Sequence, residues 1–351
     1  MPTPLVTIAV PIYNVKECLP ALFASLEAQS FSNFECILVD DGSSDGSGAV
    51  CDEQVRRDAR FSVIHQKNAG VCSARNAGIR AAKGRFVVLC DQDDQLAPRT
   101  LEWALAEQQA HPDQLIVWPF TRSPEAFAAQ PGFYSTTCFG RGETLRYFAS
   151  DLFIYVWNKL LPTEVLRAMP ALFTEGMVGG GEDFDFMARF LPAFFALHPG
   201  GGVRQIEAPL YYWNLENEKS VSKWQGNHAH YCQKQFAFFN RVKSAFAPFY
   251  EQEPRQIAQC MNRILRPVVF GLTLAKQNGE PASECWQSPE LAEMLDWLRQ
   301  NRWYTDFYLP LRLRCAPLAR AMLRWQEQRP ALYWKCYWLG YYLLARGWQR
   351  L

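Results

Sequence analysis

The 351-residue sequence predicts a Rossmann-like α/β domain, a mostly parallel sheet flanked by helices, followed by a mainly helical C-terminal region. Three observations carry that expectation. Strand-like and helix-like runs alternate through the first hundred residues, each strand-like run ends in polar residues, and helical periodicity takes over after about residue 225. Alternation at this spacing is what parallel strands joined by helical crossovers produce. The expected domains are 1–225 and 226–351, with the boundary between Ser222 and His230.

The elements follow in order. Leu5–Val10 is a β-branched run expected to end at Pro11, and Lys16–Gln29 sets Leu19, Leu22, Phe23 and Leu26 on one helical face. Phe34–Val39 reads as a strand that runs into Asp40-Asp41-Gly42-Ser43, and Ser44–Arg57 as a helix capped by Ser44 or Asp45. Phe61–His65 is a third strand, and Ser73–Ala82 a helix stopped at Gly84. Arg85–Cys90 is a fourth strand, ending in Asp91-Gln92-Asp93-Asp94. Later helices are expected near Ala229–Ala247, Glu253–Lys276 and Pro289–Arg302.

Composition narrows the class. The chain is 49% apolar and 20% charged with a formal net charge of +1, so no global field points to nucleic acid. Its 11 cysteines include no C-x-x-C pair, which fits neither a zinc site nor a disulfide scaffold. Cys36 and Cys90 sit in apolar runs, where a thiol acts as a small hydrophobe, and a reducing cytoplasmic compartment accounts for them. The N-terminus lacks the pattern of a signal peptide, and no apolar stretch of about 18 residues exists to span a membrane.

Ligands of open α/β sheets bind beyond the carboxyl ends of the strands. Asn14, Asp40, Asp41 and Asp91–Asp94 are therefore expected in one crevice. Gathered carboxylates repel one another, and hard oxygen ligands of this kind suit Mg²⁺ or Mn²⁺ shared with a substrate phosphate. The competing reading of Asp91-x-Asp93 is a solvated turn with a helix cap; its place after an apolar strand favours the cation. Asn68-Ala-Gly70 running into a helix with Arg75 is a candidate anion cradle. Glu182-Asp183 is either the N-cap of a helix Phe184–Phe190 or a catalytic pair behind the loop Gly179-Gly180-Gly181.

Taken together, Pro11-Ile-Tyr13-Asn14, Val39-Asp-Asp-Gly-Ser-Ser-Asp45, Asn68-x-Gly70-x-x-x-Ala74-Arg75-Asn76-x-Gly78 and Asp91-x-Asp93-Asp94 resemble, in order and spacing, the family 2 glycosyltransferases of the GT-A fold. Val156-Trp157-Asn158-Lys159-Leu160 and Gly181-Glu182-Asp183-Phe184 resemble the later motifs of that family. The resemblance covers about residues 3–225 and implies an inverting hexosyl- or N-acetylhexosaminyltransferase of bacterial polysaccharide or lipid-linked glycan type. It implies a UDP-sugar donor, with Tyr13 on the nucleobase, Asp41 facing the base imide, Arg75 along the nucleotide and Asp91 at the ribose. Pro11, Asn14, Asn68 and Gly70 complete that donor site. Asp93 would ligate the Mn²⁺ or Mg²⁺, Asp94 would sit nearer the acceptor, and the acid pair would supply the base, Asp183 ahead of Glu182. The segment Tyr211–Ser222 departs from the family, with Asn214 where relatives carry an Arg; Lys219, Ser220 and His228 are candidate diphosphate contacts there.

Two alternatives stand beside this. A non-catalytic glycan- or sugar-nucleotide-binding module would be expected to have lost Asp41, Asp93 or Asp183, and none is lost. A sugar nucleotidyltransferase would need a Gly-rich basic loop that Pro11–Lys16 does not provide. The stretch 310–351 interleaves Arg320, Arg324, Lys335 and other cations with Trp325, Trp334 and Trp338. It is read as a peripheral contact with the inner face of the plasma membrane, ahead of helical packing and well ahead of nucleic acid. Such a contact suits a saccharide acceptor carried on a lipid.

Overall fold

The computed structural model describes residues 3–176, 181–214, 228–261, 264, 288–301, 312, 318, 321, 322, 325 and 328. The chain divides into two compact units, Met1–Thr144 with Ser150–Trp224, and Leu145–Ala149 with Gln225–Leu351. The expected boundary itself lies outside the described residues.

In the first unit β1 (Val6–Ile12), β2 (Phe34–Asp40), β3 (Phe61–His65) and β4 (Phe86–Leu89) alternate with α1 (Leu19–Glu27), α2 (Ser47–Arg57) and α3 (Val71–Ala81). All seven residues of β1 are buried, as a central strand covered on both faces requires. α1 buries Leu19, Leu22, Phe23 and Leu26, the face the periodicity picked out. The chain continues through β5 (Gln95–Leu96), α4 (Thr100–Ala110), β6 (Gln114–Val117), β7 (Phe120–Thr121), α5 (Pro124–Ala128), β8 (Thr136–Gly140) and α6 (Arg141–Tyr147). Then come α7 (Asp151–Ile154), β9 (Lys159–Pro162), α8 (Thr163–Ala168), α9 (Glu182–Leu197), β10 (Gly202–Ile206) and β11 (Tyr211–Tyr212).

The large sheet has the order β3-β2-β1-β4-β9-β6-β10-β8. β1 runs parallel to both neighbours, β2 to β3 and β6 to β10; β9 is inserted antiparallel between β4 and β6, and β8 closes the edge antiparallel. A small sheet, β5-β11-β7, stands apart from it.

Two of the boundaries that differ from expectation bear on the site. β1 does not stop at Pro11 but runs through it to Ile12. Its ladder with β4 ends at Ala9 opposite Leu89, so the missing N–H of Pro11 leaves no broken bond there. α2 begins at Ser47 with Gly46 as its N-cap, later than Ser44. Asp45 instead accepts the backbone N–H of Ser47 at 2.9 Å and that of Lys16 at 3.1 Å, tying the turn to the loop after β1.

α3 presses on the sheet because Gly78 has no side chain: a Cβ there would lie 2.9 Å from that of Ala9. Cys36 and Cys90 are fully buried, and burial pushes both thiols up, so they are held protonated as apolar side chains.

The second unit is helical where it is described. α10 (His228–Ala245) leads to a 3₁₀ turn at Ala247–Phe249, residues 254–261 are helical, and Pro289–Gln300 forms a helix capped by the Ser288 hydroxyl. Phe239, Val242, Phe246, Ile257, Leu291, Met294 and Leu298 are its buried centre, and Phe148 meets Phe246 edge-on at 5.1 Å. Nearly all of 310–351 lies outside the described residues, as do Gly179, Gly180, Lys219 and Ser220 and the side chain of His228. No described helix is long and apolar enough to cross a membrane.

Candidate active site

The carboxyl ends of β1, β2 and β4 meet as the sequence predicts, but their acids do different things. After β1 the chain turns at Asn14, which holds φ of 49° and accepts the Ser44 N–H at 2.8 Å. Its own N–H donates to the Ser43 hydroxyl at 3.1 Å, so a non-glycine residue is kept in the left-handed region by the loop after β2. Pro11 is buried inside β1, whereas Tyr13 is half exposed and donates its N–H to the Gln92 side chain.

Asp41 is buried and builds the neighbouring loop. Its Oδ1 accepts from the Gln66 amide at 2.7 Å and the Ala69 N–H at 2.9 Å, and its Oδ2 accepts from the Gly70 N–H at 2.8 Å. Asn68 is exposed at the tip of that loop. Gly42, with φ of 73°, lets it approach: a Cβ there would stand 2.9 Å from the Asn68 nitrogen.

Asp40 departs from the expectation that it joins the crevice. Its Oδ1 accepts the Ser43 N–H at 3.0 Å and its Oδ2 meets His65 Nδ1 at 2.9 Å, while His65 Nε2 lies 3.2 Å from Asp52. Burial works against its charge, yet the bonds from Ser43 and His65 hold the carboxyl below the usual range. Two adjacent acids at one strand end point to opposite faces of the sheet, so only Asp41 is left for the site.

Arg75 is the centre of the arrangement. It is buried, donates Nη2 to Asp91 Oδ1 and Nη1 to Asp183 Oδ1, both at 2.7 Å, and lies 5.2 Å from the Phe173 ring. Burial opposes its charge, but Asp91, Asp183 and Glu182 outweigh that and lift its pKa well above the ordinary value. A permanent cation thus joins the strand end at β4 to the start of α9. Asn76, one residue on, fastens the same region by donating to the Phe173 carbonyl at 3.0 Å and accepting the Phe173 N–H at 2.9 Å.

Asp183 and Glu182 lie in the first turn of α9, and Gly181 with φ of 117° is the N-cap. Neither acid caps the helix, and the helix is longer than Phe184–Phe190. Burial pushes the Asp183 carboxyl up to about 7; Arg75 pulls it down, Glu182 and Asp91 push it up, and the Val156 N–H holds its Oδ2 at 3.4 Å. That value places its proton exchange near neutrality, where a general base is most effective.

Val156 is held in turn by a fully buried Lys159. Its ammonium donates to the carbonyls of Leu152 at 2.7 Å and Tyr155 at 2.5 Å and to Asn158 Oδ1 at 2.5 Å. All three acceptors are neutral, so burial drives the Lys159 pKa well down. The side chain fixes the turn 152–158 that presents Val156 to Asp183. The role of Lys159 is not legible in its motif, because its three acceptors come together only once the turn is folded.

Asp94 does not open on the crevice. It is buried, accepts the Tyr211 hydroxyl at 2.7 Å and the Asn214 N–H at 2.8 Å, and Tyr211 also accepts the Asp91 N–H at 3.1 Å. Burial, then Asp91 and Asp93, push its carboxyl well up. Asp94, expected nearer the acceptor, is instead a buried bracket that fixes β11 against the strand end.

The crowding of Asp91, Asp93 and Asp94 on one turn fits a divalent cation, and their oxygen-only donors suit Mg²⁺ or Mn²⁺. Asp94 is committed to Tyr211 and Asn214 and Asp91 bonds Arg75, so Asp93 is the candidate ligand. No group of three or more ligating side chains closes on a single point among the described residues, so such an ion would complete its shell with water and substrate phosphate.

Residues 7–166 match the family model for glycosyl transferase family 2. Over those residues the chain carries a glycosyl transferase family 2 domain. An uncharacterised glycosyltransferase of Bacillus subtilis, EpsJ, is 29% identical over 92% of this chain and 93% of its own length. The glycosyltransferase GlyG of Streptococcus pneumoniae is 36% identical over 32% of this chain and 38% of its own. Among solved structures, S. aureus TarS residues 1–349 in complex with UDP superposes with a TM-score of 0.66 at 17% identity, covering 92% of this chain and 91% of that one. The mostly parallel sheet with flanking helices matches the GT-A fold of TarS.

Proposed function

We propose that this glycosyltransferase moves a sugar from a UDP-sugar to a saccharide or lipid-linked acceptor with inversion, using Asp183 as general base. The observation that carries the reading is the Asp91–Arg75–Asp183 bridge. It ties the donor side of the crevice to a carboxylate whose pKa of about 7 suits removal of a hydroxyl proton.

Each residue then has a task. Tyr13 stacks on the nucleobase, and Pro11 and Asn14 shape the strand end that presents it. Asp41 orders the loop bearing Asn68 and Gly70, and Oδ2, which accepts one bond among the described residues, takes the base imide N–H. Arg75 keeps Asp91 in place for the ribose. Asp93 would hold Mn²⁺ or Mg²⁺, and the ion would supply positive charge against the departing diphosphate. Asp183 takes the proton from the acceptor hydroxyl, the freed electron pair forms the bond to the anomeric carbon, and the bond from that carbon to UDP breaks on the opposite face. Glu182 sustains the raised pKa of Asp183, and Asp94 is a positioning residue. A structure of S. aureus TarS in complex with UDP-GlcNAc has the same fold, which supports a uridine donor. The basic, aromatic stretch 310–351 would bring the enzyme to an anionic membrane from the cytoplasmic side, with domains of 1–225 and 226–351 dividing catalysis from attachment.

The test is release of UDP from a panel of UDP-sugars with Mn²⁺, in wild type, Asp93→Ala and Asp183→Ala. One or more sugars should be turned over by wild type and hardly by either variant. Equal release by all three proteins would sink the assignment.

A further inference from the structure

Beside Asp183 lies a constellation that the donor chemistry does not use. Phe120, Tyr155 and Trp213 form a triangle of rings, with centroids 5.8 Å apart for Phe120–Tyr155 and 5.4 Å for Phe120–Trp213 and Tyr155–Trp213. Buried Trp157 backs them, stacked on Tyr155 at 4.8 Å and on Tyr211 at 4.2 Å. The register that sets Tyr211 opposite Phe120 carries Trp213 to the same end, where its N–H donates to the Thr121 carbonyl at 2.9 Å. The three triangle rings are only half-buried, so each keeps an open part. Val156, between Tyr155 and Trp157, is the residue whose N–H reaches Asp183. The rings thus stand immediately beside the proposed base.

A cation completes the cluster. Arg122 is exposed, with its guanidinium carbon 4.2 Å from the Trp213 centroid and 5.5 Å from that of Phe120. Among the described residues it forms no ion pair. An arginine laid on a ring keeps its N–H edge available, and that edge matches the two oxygens of a phosphate or carboxylate. The Tyr155 hydroxyl senses this neighbourhood: burial pushes it up to about 12, Asp151 and Asp183 add to that, and Arg122 opposes. Packing alone accounts for the buried Trp157 and Tyr211. It does not account for an unpaired guanidinium spread over the half-open rings next to the base.

We infer that Phe120, Tyr155, Trp213 and Arg122 form the acceptor subsite, and that its ligand is a saccharide carrying an anionic group. The rings offer flat apolar surface to the C–H face of a pyranose, and Arg122 takes the charge of a phosphate or carboxylate on the same or the adjoining residue. The inference rests on the proposed function, since an acceptor is needed beside the base only in a transferase.

Titration calorimetry on the full chain, with UDP and Mn²⁺ held saturating so that the donor site is filled, tests it with two matched pairs. One is mannopentaose phosphate against mannopentaose; the other is tetragalacturonate against its methyl ester. Wild type should bind the charged member at least tenfold more tightly in one or both pairs, and the pair that shows the preference tells which anion is read. Arg122→Gln should level the two members of each preferred pair, and Trp213→Leu should weaken both members together. No preference in either pair of wild type, or a preference that survives Arg122→Gln, overturns the inference. A separate titration with UDP alone reports on the transferase reading: UDP that fails to bind counts against that reading, whereas UDP that binds without charge preference counts against the subsite.

Discussion

The two walls of the crevice are built by different means. On the donor wall, Asp41 closes the loop after β3 by accepting backbone N–H groups only 28 and 29 residues away. On the base wall, Arg75 reaches Asp183 across 108 residues and Tyr211 reaches Asp94 across 117. The first is a carboxylate holding backbone; the second is side chain on side chain in a buried setting, where perturbed titration follows. One wall is held by contacts close in sequence, and the other, which carries the proposed base, depends on the whole fold.

That contrast can be broken in graded steps. The largest effect is expected for Asp183→Asn, which keeps the shape but removes the proton acceptor: kcat should fall about 10²–10⁴-fold. UDP affinity by calorimetry should stay near wild type, because the donor wall is untouched. A matched loss of UDP affinity would show that the walls are not separable.

Lys159→Met comes next. It strands the carbonyls of Leu152 and Tyr155 and the Asn158 oxygen in the interior, for a loss of about 1–3 kcal/mol in urea unfolding. Relief of the buried ammonium offsets part of that, so a stabilised variant would refute the role given to the turn 152–158.

Arg75→Met should act mainly on titration. Burial raises Asp183 and Arg75 is what draws it back, so without Arg75 the acid limb of the pH–rate profile should move to higher pH. A limb moving to lower pH would contradict the bridge. The smallest of the catalytic effects is expected for Asp41→Asn, which loosens the loop 66–70 and raises the KM for the donor with little change in kcat. On the second unit, Arg320, Arg324 and Lys335 changed together to Glu should release the protein from anionic liposomes in a sedimentation assay; unchanged binding would remove the membrane role.

Much of the donor wall was legible because its information is contiguous. A strand, an acid pair, a glycine turn and a helix start follow one another along the chain, and each uses local rules for strands, turns and caps. Where local rules compete, reading failed. Pro11 looked like a strand end because nothing in its own sequence shows that β4 stops short of it. Asp40 and Asp41 looked equivalent until the pleat sent Asp40 to His65. Asp94 looked like part of an open carboxylate cluster because Tyr211, its partner, lies far along the chain. β9, the antiparallel insertion, and Leu145–Ala149, which belongs with the helical unit, likewise depend on contacts distant in sequence.

The central claim is that Asp183 is the base and that its setting tunes it. An aspartate raised from about 3.9 in the unfolded chain to about 7 in the fold binds its proton more tightly when folded. This group therefore favours the fold at low pH, and that contribution is lost between about pH 4 and pH 7. Catalysis runs the other way, because only the ionised form accepts a proton. The pH dependence of kcat/KM, measured on wild type and on Asp183→Asn with one donor and one acceptor, tests this most directly. Wild type should rise through an apparent pKa near 7 to a plateau, and the residual rate of the variant should show no such limb. A limb that persists in Asp183→Asn would contradict the account.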